Sequence, residues 1–390
     1  MSSSRTSTPR WHSLDSLRAS MMSLGLVLHG ANAFAAGTPR FWPYDDPCDS
    51  SFFNLVIVYV HAFRMPAFFL MAGFFSALLA ERRGTRRLMS NRLSRVLVPL
   101  LIFWPIVVPL FFMGGAFATA RLSGGFGPAC DAAWALLVSG EAYQAFSLHL
   151  WFLRDLIVFY CVAIVVRWMA QKVPDFVVVV HQVFRAAMHS PLRALWLAIP
   201  TGFTLYPMAS GSFDTEPGLV PSVRVLIAYG LVFLWGWLLY NERDLLPRFS
   251  GWAWTHILLG TAILVAWLML PGYRTRIFSA SLNSLATWML VFGITGLFIR
   301  HMSKFSGVGR YLSDASYWIY LMHAPLLLWV NGLVAPWETS VYIKFGFVLA
   351  VTMVVVLITY HFCVRNSFIG KLLNGHRYPE PRIWPQRPLS

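Results

Sequence analysis

Ten stretches of about 20 mostly apolar residues run through this chain, and they leave it few ways to fold. The stretches are 19–36, 52–80, 96–113, 147–170, 194–209, 222–240, 252–270, 279–299, 314–333 and 341–362. An α-helix needs about 20 such residues to cross the ~30 Å hydrocarbon core of a bilayer. Backbone polar groups in lipid must be satisfied within the segment, which selects helices. A β-barrel would alternate apolar and polar residues over shorter segments. The expected fold class is therefore all-α: a polytopic membrane protein of about ten transmembrane helices. Of 390 residues, 57% are hydrophobic and only 12% charged, against roughly 25% charged in soluble domains. That excludes an ordinary soluble enzyme. Four cysteines exclude a disulfide scaffold, while 17 Trp, 14 Tyr and 31 Phe suit helix ends at a membrane interface.

The net charge of +15 is a question of orientation. A nucleic-acid-binding domain would not be this apolar, so no nucleic-acid partner is expected. Ten spans put both termini on one side. The tails and connectors on that side hold 23 of the 31 Lys and Arg. The other connectors hold five: Arg40, Arg121, Arg224, Arg274 and Arg276. Arg64, Arg154 and Lys344 lie inside spans. Positively charged connectors stay in the cytoplasm, so both termini are expected there. Residues 1–15 and 363–390, the latter with Tyr378-Pro379-Glu380-Pro381, read as mobile cytoplasmic tails around a membrane domain at 16–362. The longest outer connector, 114–146, is Gly-rich and holds Trp134, Tyr143 and Cys130. A Cys130–Cys48 disulfide and two free thiols are equally compatible with the sequence. Residues 21–28 followed by Ala33-Phe34-Ala35 outline a signal peptide, but Asp15 and His29 do not belong in one.

Ionisable residues inside spans are costly, about 2.5–3.5 kcal/mol each for Arg, Lys or Asp at mid-membrane, so they are the candidates for function. Arg18 and His29 are eleven residues apart, three helical turns, and share a face about 16 Å apart. Asp15 is placed to pair with Arg18. His61 and Arg64 are neighbours on the second span, which Pro66 is expected to kink or break. His149 opens the fourth span. Arg154 and Asp155 are adjacent, so they are expected to point apart and need separate partners. In the ninth span Ser316, Tyr320 and His323 share a face, Ser313 or Asp314 can cap the helix, and Pro325 should kink it. Arg82, Arg83, Arg86, Arg87, Arg92 and Arg95 crowd the connector after the second span. They can mark topology, touch membrane lipid phosphate, or bind a phosphorylated cytosolic molecule through their forked guanidinium groups. No Walker loop, GxGxxG, HExxH or CxxC occurs, so no metal and no tightly bound cofactor is expected.

These residues resemble a known pattern. Leu14-Asp15-Ser16-Leu17-Arg18 with His29 resembles the R-x10-H signature of the acyltransferase 3 family of membrane proteins. Arg92-Leu93-Ser94-Arg95 resembles its R-x-x-R element. Ser316-Tyr317-Trp318-Ile319-Tyr320-Leu321-Met322-His323 resembles its S-Y-x-I-Y-L-x-H helix. The stretches His61-Ala62-Phe63-Arg64-Met65, Phe68-Phe69 and His149-Leu150-Trp151-Phe152-Leu153 are most similar to the glucan-modifying branch. The similarity runs from about residue 11 to 362. One departure is Ala72-Gly73-Phe74, where the family often has a serine first. The resemblance implies an inner-membrane enzyme that takes an acyl group from cytoplasmic acyl-CoA and passes it to a carbohydrate outside. For the glucan branch the donor would be succinyl-CoA and the acceptor a hydroxyl of an osmoregulated periplasmic glucan, with glucan synthase proteins as candidate partners.

Acyl transfer to a sugar hydroxyl needs a base, and histidine has a suitable ordinary pKa. The expectation is that His29 is the base and Arg18 positions it or the donor. His61, Arg64, His149, Tyr320 and His323 are candidates for supporting it, binding the acyl group or stabilising an oxyanion. Arg92 and Arg95, with Arg86 and Arg87, are candidates for holding the CoA phosphates. O-acetylation of lipopolysaccharide or exopolysaccharide would use the same residues. A proton-coupled transporter is the alternative from another class, because mid-span His and Arg with nearby prolines also suit a carrier.

Overall fold

A computed structural model describes residues 12–37, 41–270 and 275–375. Arg40, Arg274, residues 1–11 and the Pro-rich end from 376 lie outside the described residues. The described chain is helical, with two isolated bridges and no strand. Its helices are α1 (His12–Asn32), α2 (Ser51–Arg92), α3 (Val98–Ala120), α4 (Phe126–Val138), α5 (Trp151–Ala170), α6 (Pro174–His189) and α7 (Arg193–Leu205). They continue with α8 (Val223–Asn241), α9 (Ala253–Met269), α10 (Arg276–His301), α11 (Gly307–Val334), α12 (Val341–Thr359) and α13 (Phe368–Asn374).

Each apolar stretch of the sequence falls on a helix, yet among the described residues six segments are long and apolar enough to cross a membrane, or seven with a bent one. Three features lower the count from ten. Helix α1 is diluted by His12, Asp15, Arg18 and several serines. Helix α7 has 13 residues, about 20 Å of helix, and Pro200 inside it. Residues 51–120 form one run of 70 residues through α2, a π-helical turn (Leu93–Leu97) and α3. At 1.5 Å per residue that run would be about 105 Å long if straight. It is not straight, because Gly84 leaves the helical region at φ 75°. The bent segment is a 3-10 turn (Arg243–Ser250) that meets α9 at 76°.

Neither Pro66 nor Pro325 interrupts its helix. Helix α2 runs through Pro66, and its break is at Gly84. Pro66 lacks the N–H that would bond the Ala62 carbonyl. That carbonyl accepts instead from the Thr287 hydroxyl on α10, at 2.8 Å. Pro325 leaves the Leu321 carbonyl free in the same way, and the His149 ring takes it at 3.3 Å. Helix α11 also starts earlier than 314. Its cap is Ser306, which accepts from the Gly309 N–H, not Ser313 or Asp314. Ser313 donates to the Asp15 carbonyl and Asp314 pairs with Arg310.

Glycines set the closest helix approach. A Cβ on Gly73 would collide with the Phe233 carbonyl, and one on Gly236 with the Leu70 carbonyl. Helices α2 and α8 therefore meet backbone to backbone. Around them α1 packs on α11 and α2, and α10 packs on α9 and α7.

Connectors gather on two faces. On the arginine-rich face Arg185 pairs with Glu242 and Asp244, and the Tyr317 hydroxyl donates to the Arg95 carbonyl. On the opposite face Lys344 pairs with Asp46, and Ser147 donates to Pro217 and Gly218. Beyond residue 362 the described chain continues into α13. Helix α13 buries Leu373, and Asn374 donates to the Asp314 carbonyl. The long connector 114–146 is largely helical, since it contains the end of α3 and all of α4, with Trp134 and Tyr143 exposed. Cys48 and Cys130 are both free thiols. Arg154 and Asp155 do not point apart. They form an ion pair of 2.8 Å with each other, and Arg154 also donates to the Gly218 carbonyl.

Candidate active site

Three histidines from three helical segments meet near the middle of the protein. His29 comes from α1, His149 from the turn before α5 and His323 from α11. Ring centroids are 5.2 Å apart for His29 and His323, 5.0 Å for His149 and His323, and 6.2 Å for His29 and His149. His149 and His323 are buried, while His29 is partly open.

Backbone carbonyls set two of the tautomers. His323 Nδ1 lies 3.0 Å from the Ile319 carbonyl and 2.8 Å from the Tyr320 carbonyl. A carbonyl only accepts, so Nδ1 carries the proton and Nε2 of the neutral ring keeps its lone pair. His149 Nε2 faces the Leu321 carbonyl and donates by the same argument, leaving the lone pair on Nδ1. Neither lone pair has a partner among the described residues. His29 makes no hydrogen bond to a described residue, and the Trp42 indole stacks on it at 5.8 Å and 16°.

Arg64 enters the same space from α2. It is 4% exposed, its Nε donates to the Met21 carbonyl at 2.9 Å, and it pairs with no carboxylate among the described residues. Gly25, one turn before His29, makes room for it. A Cβ there would collide with Arg64 Nη2 and lie 3.4 Å from His323 Nε2. A cation, two buried lone pairs and a partly open imidazole thus share one region. Among the described residues no group of His, Cys, Asp or Glu is arranged to hold a metal ion.

The remaining candidates lie around or away from this centre. The Tyr320 hydroxyl donates to the His149 carbonyl at 2.7 Å, which fixes the turn that carries His149 and engages its proton. His61 Nε2 lies 2.5 Å from the Phe213 carbonyl and reaches the 206–222 connector instead of the histidine trio. Arg18 stands at the other end of α1, 41% exposed and 3.7 Å from Asp15. There it acts electrostatically on Arg95, as do Arg92 and Arg83. Arg92 sits 5.1 Å over the Tyr160 ring and donates to Ser76, whose hydroxyl donates to the Ala72 carbonyl. A hydroxyl is therefore present one turn after Ala72. The C-terminal end of α13, at Gly375 with φ 77°, lies against the Arg95 guanidinium, where the helix dipole favours a cation. Arg86 and Arg87 are exposed. Helix α1 thus links an arginine-rich pole to the histidine trio.

Trp42 escaped the sequence reading. It lies in a short connector, where no helical spacing relates it to His29. A cavity of about 670 Å³ opens on its face of the protein, lined by Cys48, Leu122, Trp337 and Lys344, and none of the three histidines lines it.

An acyl-transfer enzyme is the class that this helical body and its sequence define. Residues 11–361 match the model of the acyltransferase domain, so the chain belongs to the acyltransferase 3 family and is a multi-pass membrane acyltransferase. It is 26% identical over 384 residues to the glucans biosynthesis protein C of Salmonella schwarzengrund (strain CVM19633), covering 94% of this chain and 95% of that protein. It is 25% identical over 383 residues, with the same coverage, to the glucans biosynthesis protein C of Salmonella paratyphi B (strain ATCC BAA-1250 / SPB7). No solved structure matches it.

Proposed function

We propose that the protein moves a succinyl group from cytoplasmic succinyl-CoA to a glucose hydroxyl of a periplasmic glucan, through ten crossings of the inner membrane with both termini in the cytoplasm. The relatives' name supports the glucan. The arginine excess on one face supports the orientation. The carrying observation is the partly open His29, 5.2 Å from His323 and one turn after Gly25, against which Arg64 lies, on a helix whose Arg18 acts electrostatically on Arg95 at the other end.

In this reading Arg92 and Arg95, with Arg86 and Arg87 nearby, hold the CoA phosphates. The thioester reaches His29 along α1. His29 takes the proton of the acceptor hydroxyl as its oxygen bonds to the thioester carbonyl carbon. The carbonyl π electrons move to oxygen, and an Arg64 N–H donates to the resulting oxyanion or to the succinyl carboxylate. Tyr320 and His61 already donate to, or sit on, backbone carbonyls, which leaves Arg64 as the donor. The C–S bond then breaks, and the CoA thiolate leaves with the proton from His29. His149 and His323 position His29 and can accept from bound hydroxyls. A buried arginine with no carboxylate favours a dicarboxylic acyl group over acetyl.

The test is the succinyl content of periplasmic glucans, read by mass spectrometry, in a deletion strain carrying wild-type protein or His29→Ala at equal membrane levels. Succinyl restored by wild type and absent with His29→Ala is the expected result. Restoration by both would remove His29 from the chemistry. Unchanged glucans with wild type would transfer the proposal to another surface polysaccharide.

A further inference from the structure

Arg193 is placed where a lone cation should not be. It is the first residue of α7, at the positive end of the helix dipole, and Leu192 before it provides no side-chain cap. It is 7% exposed, and its Nε and Nη1 have no partner among the described residues. Its guanidinium lies 5.7 Å from the centre of the Phe249 ring. The next residue back, Arg248, bonds His189 at 2.8 Å, and His189 ends α6 four residues before Arg193. Two arginines and a histidine are thereby joined across the α6–α7 turn and the 243–250 turn. Glu242 and Asp244, the acidic residues on either side of Arg243 in this segment, pair with Arg185. Like charges held together, one of them buried at a helix N-terminus, need an anion.

Helix α6 shows which kind. Phe184 on one face is buried and stacks on Trp235 of α8 at 5.7 Å and 16°. Phe176, Val179 and Val183 at i, i+3 and i+7 are 66%, 53% and 65% exposed on the other. A helix with one face on the protein and one apolar face open lies in the plane of a membrane interface. It ends at His189, beside Arg248 and Arg193.

We propose that Arg193, Arg248 and His189 form a phosphate site at the membrane surface, filled by the headgroup of an anionic lipid whose chains run along α6. The site is separate from Arg92 and Arg95 and takes no part in acyl transfer. Arg193 supplies a forked, pre-placed guanidinium, and Arg248 adds the second charge.

The experiment follows the melting temperature of the purified full-length protein in neutral detergent. Phosphatidylglycerol, phosphatidylcholine or inorganic phosphate is added to wild type, Arg193→Gln, Arg248→Gln and, as a charge control at the exposed end of α10, Arg300→Gln. Phosphatidylglycerol raises the wild-type melting temperature and phosphatidylcholine does not. The half-saturating concentration rises at least ~10-fold in Arg193→Gln and in Arg248→Gln, as expected for loss of a charged phosphate contact. It stays unchanged in Arg300→Gln. Arg248 is exposed, so its variant decides the matter if Arg193→Gln does not fold. Stabilisation by millimolar inorganic phosphate alone, lost in the same two variants, keeps the site and makes its ligand a soluble phosphate. No stabilisation by either probe, or an equal loss in Arg300→Gln, overturns the proposal.

Discussion

Two buried polar clusters, one beneath the first connector and one at the centre, are built on opposite rules. In the first, every charge is met. Lys344 Nζ lies 3.0 Å from both Asp46 carboxylate oxygens and 3.5 Å from the Ala335 carbonyl. Asp46 also accepts from the Tyr44 hydroxyl at 2.9 Å and the Cys48 N–H at 3.0 Å. Burial, and then the Asp46 charge, push the Tyr44 hydroxyl above its ordinary pKa, so it remains a donor. In the second cluster His149 Nδ1 and His323 Nε2 have no partner among the described residues, and Arg64 has no carboxylate. The saturated cluster holds the chain together. Through Asp46 it pins the connector that lays Trp42 on His29. The unsaturated one leaves hydrogen-bonding capacity open, which the proposed reaction would use for its substrate.

Breaking the open cluster should remove activity and spare the fold. His29→Ala is expected to lower turnover of labelled acyl-CoA by about 10²–10⁴-fold, the usual worth of a general base. Its melting temperature should stay at the wild-type value. A large drop in melting temperature would place His29 with the structural residues. The closed cluster should respond the other way. Lys344→Met leaves Asp46 buried and uncompensated, at a cost of about 3–5 kcal/mol. Asp46→Asn added to Lys344→Met should recover much of that, and melting curves of both variants would check it.

Smaller effects sharpen the comparison. Arg64→Ala should cut the preference for succinyl- over acetyl-CoA by ~10-fold or more, since a charge-assisted hydrogen bond is worth about 1.5–3 kcal/mol. An unchanged preference in donor competition would limit Arg64 to the oxyanion. Replacing Arg92 and Arg95 together by Gln should raise the donor KM about 10-fold with little change in kcat, whereas topology signals alone would leave KM unmoved. Thr287→Val should cost about 1–3 kcal/mol by orphaning the Ala62 carbonyl. Pro66→Ala in that background restores an N–H to the carbonyl, and the melting temperature should rise again.

Much of the fold was legible because helix formation and membrane burial are local. Each apolar stretch became a helix, and the costly residues His29, Arg64, His149 and His323 stood out one by one. The errors were local rules overruled by neighbours. Pro66 did not break α2, because Thr287, more than 200 residues away, satisfies the freed carbonyl. Adjacent Arg154 and Asp155 paired through flexible side chains. His61 and His149 looked alike in sequence, yet one faces Phe213 and the other joins the trio.

The sequence by itself determined a helical membrane protein, the face rich in arginine and the family. Apolar periodicity, charge placement and short motifs are properties of neighbouring residues. Tertiary structure alone decided which polar groups share a space. It chose His149 over His61, laid Trp42 on His29, saturated Lys344 and left Arg64 and Arg193 without carboxylates among the described residues. Lys344 meets Asp46 across 298 residues of chain and His149 reaches the Leu321 carbonyl across 172, separations at which no local spacing carries the information.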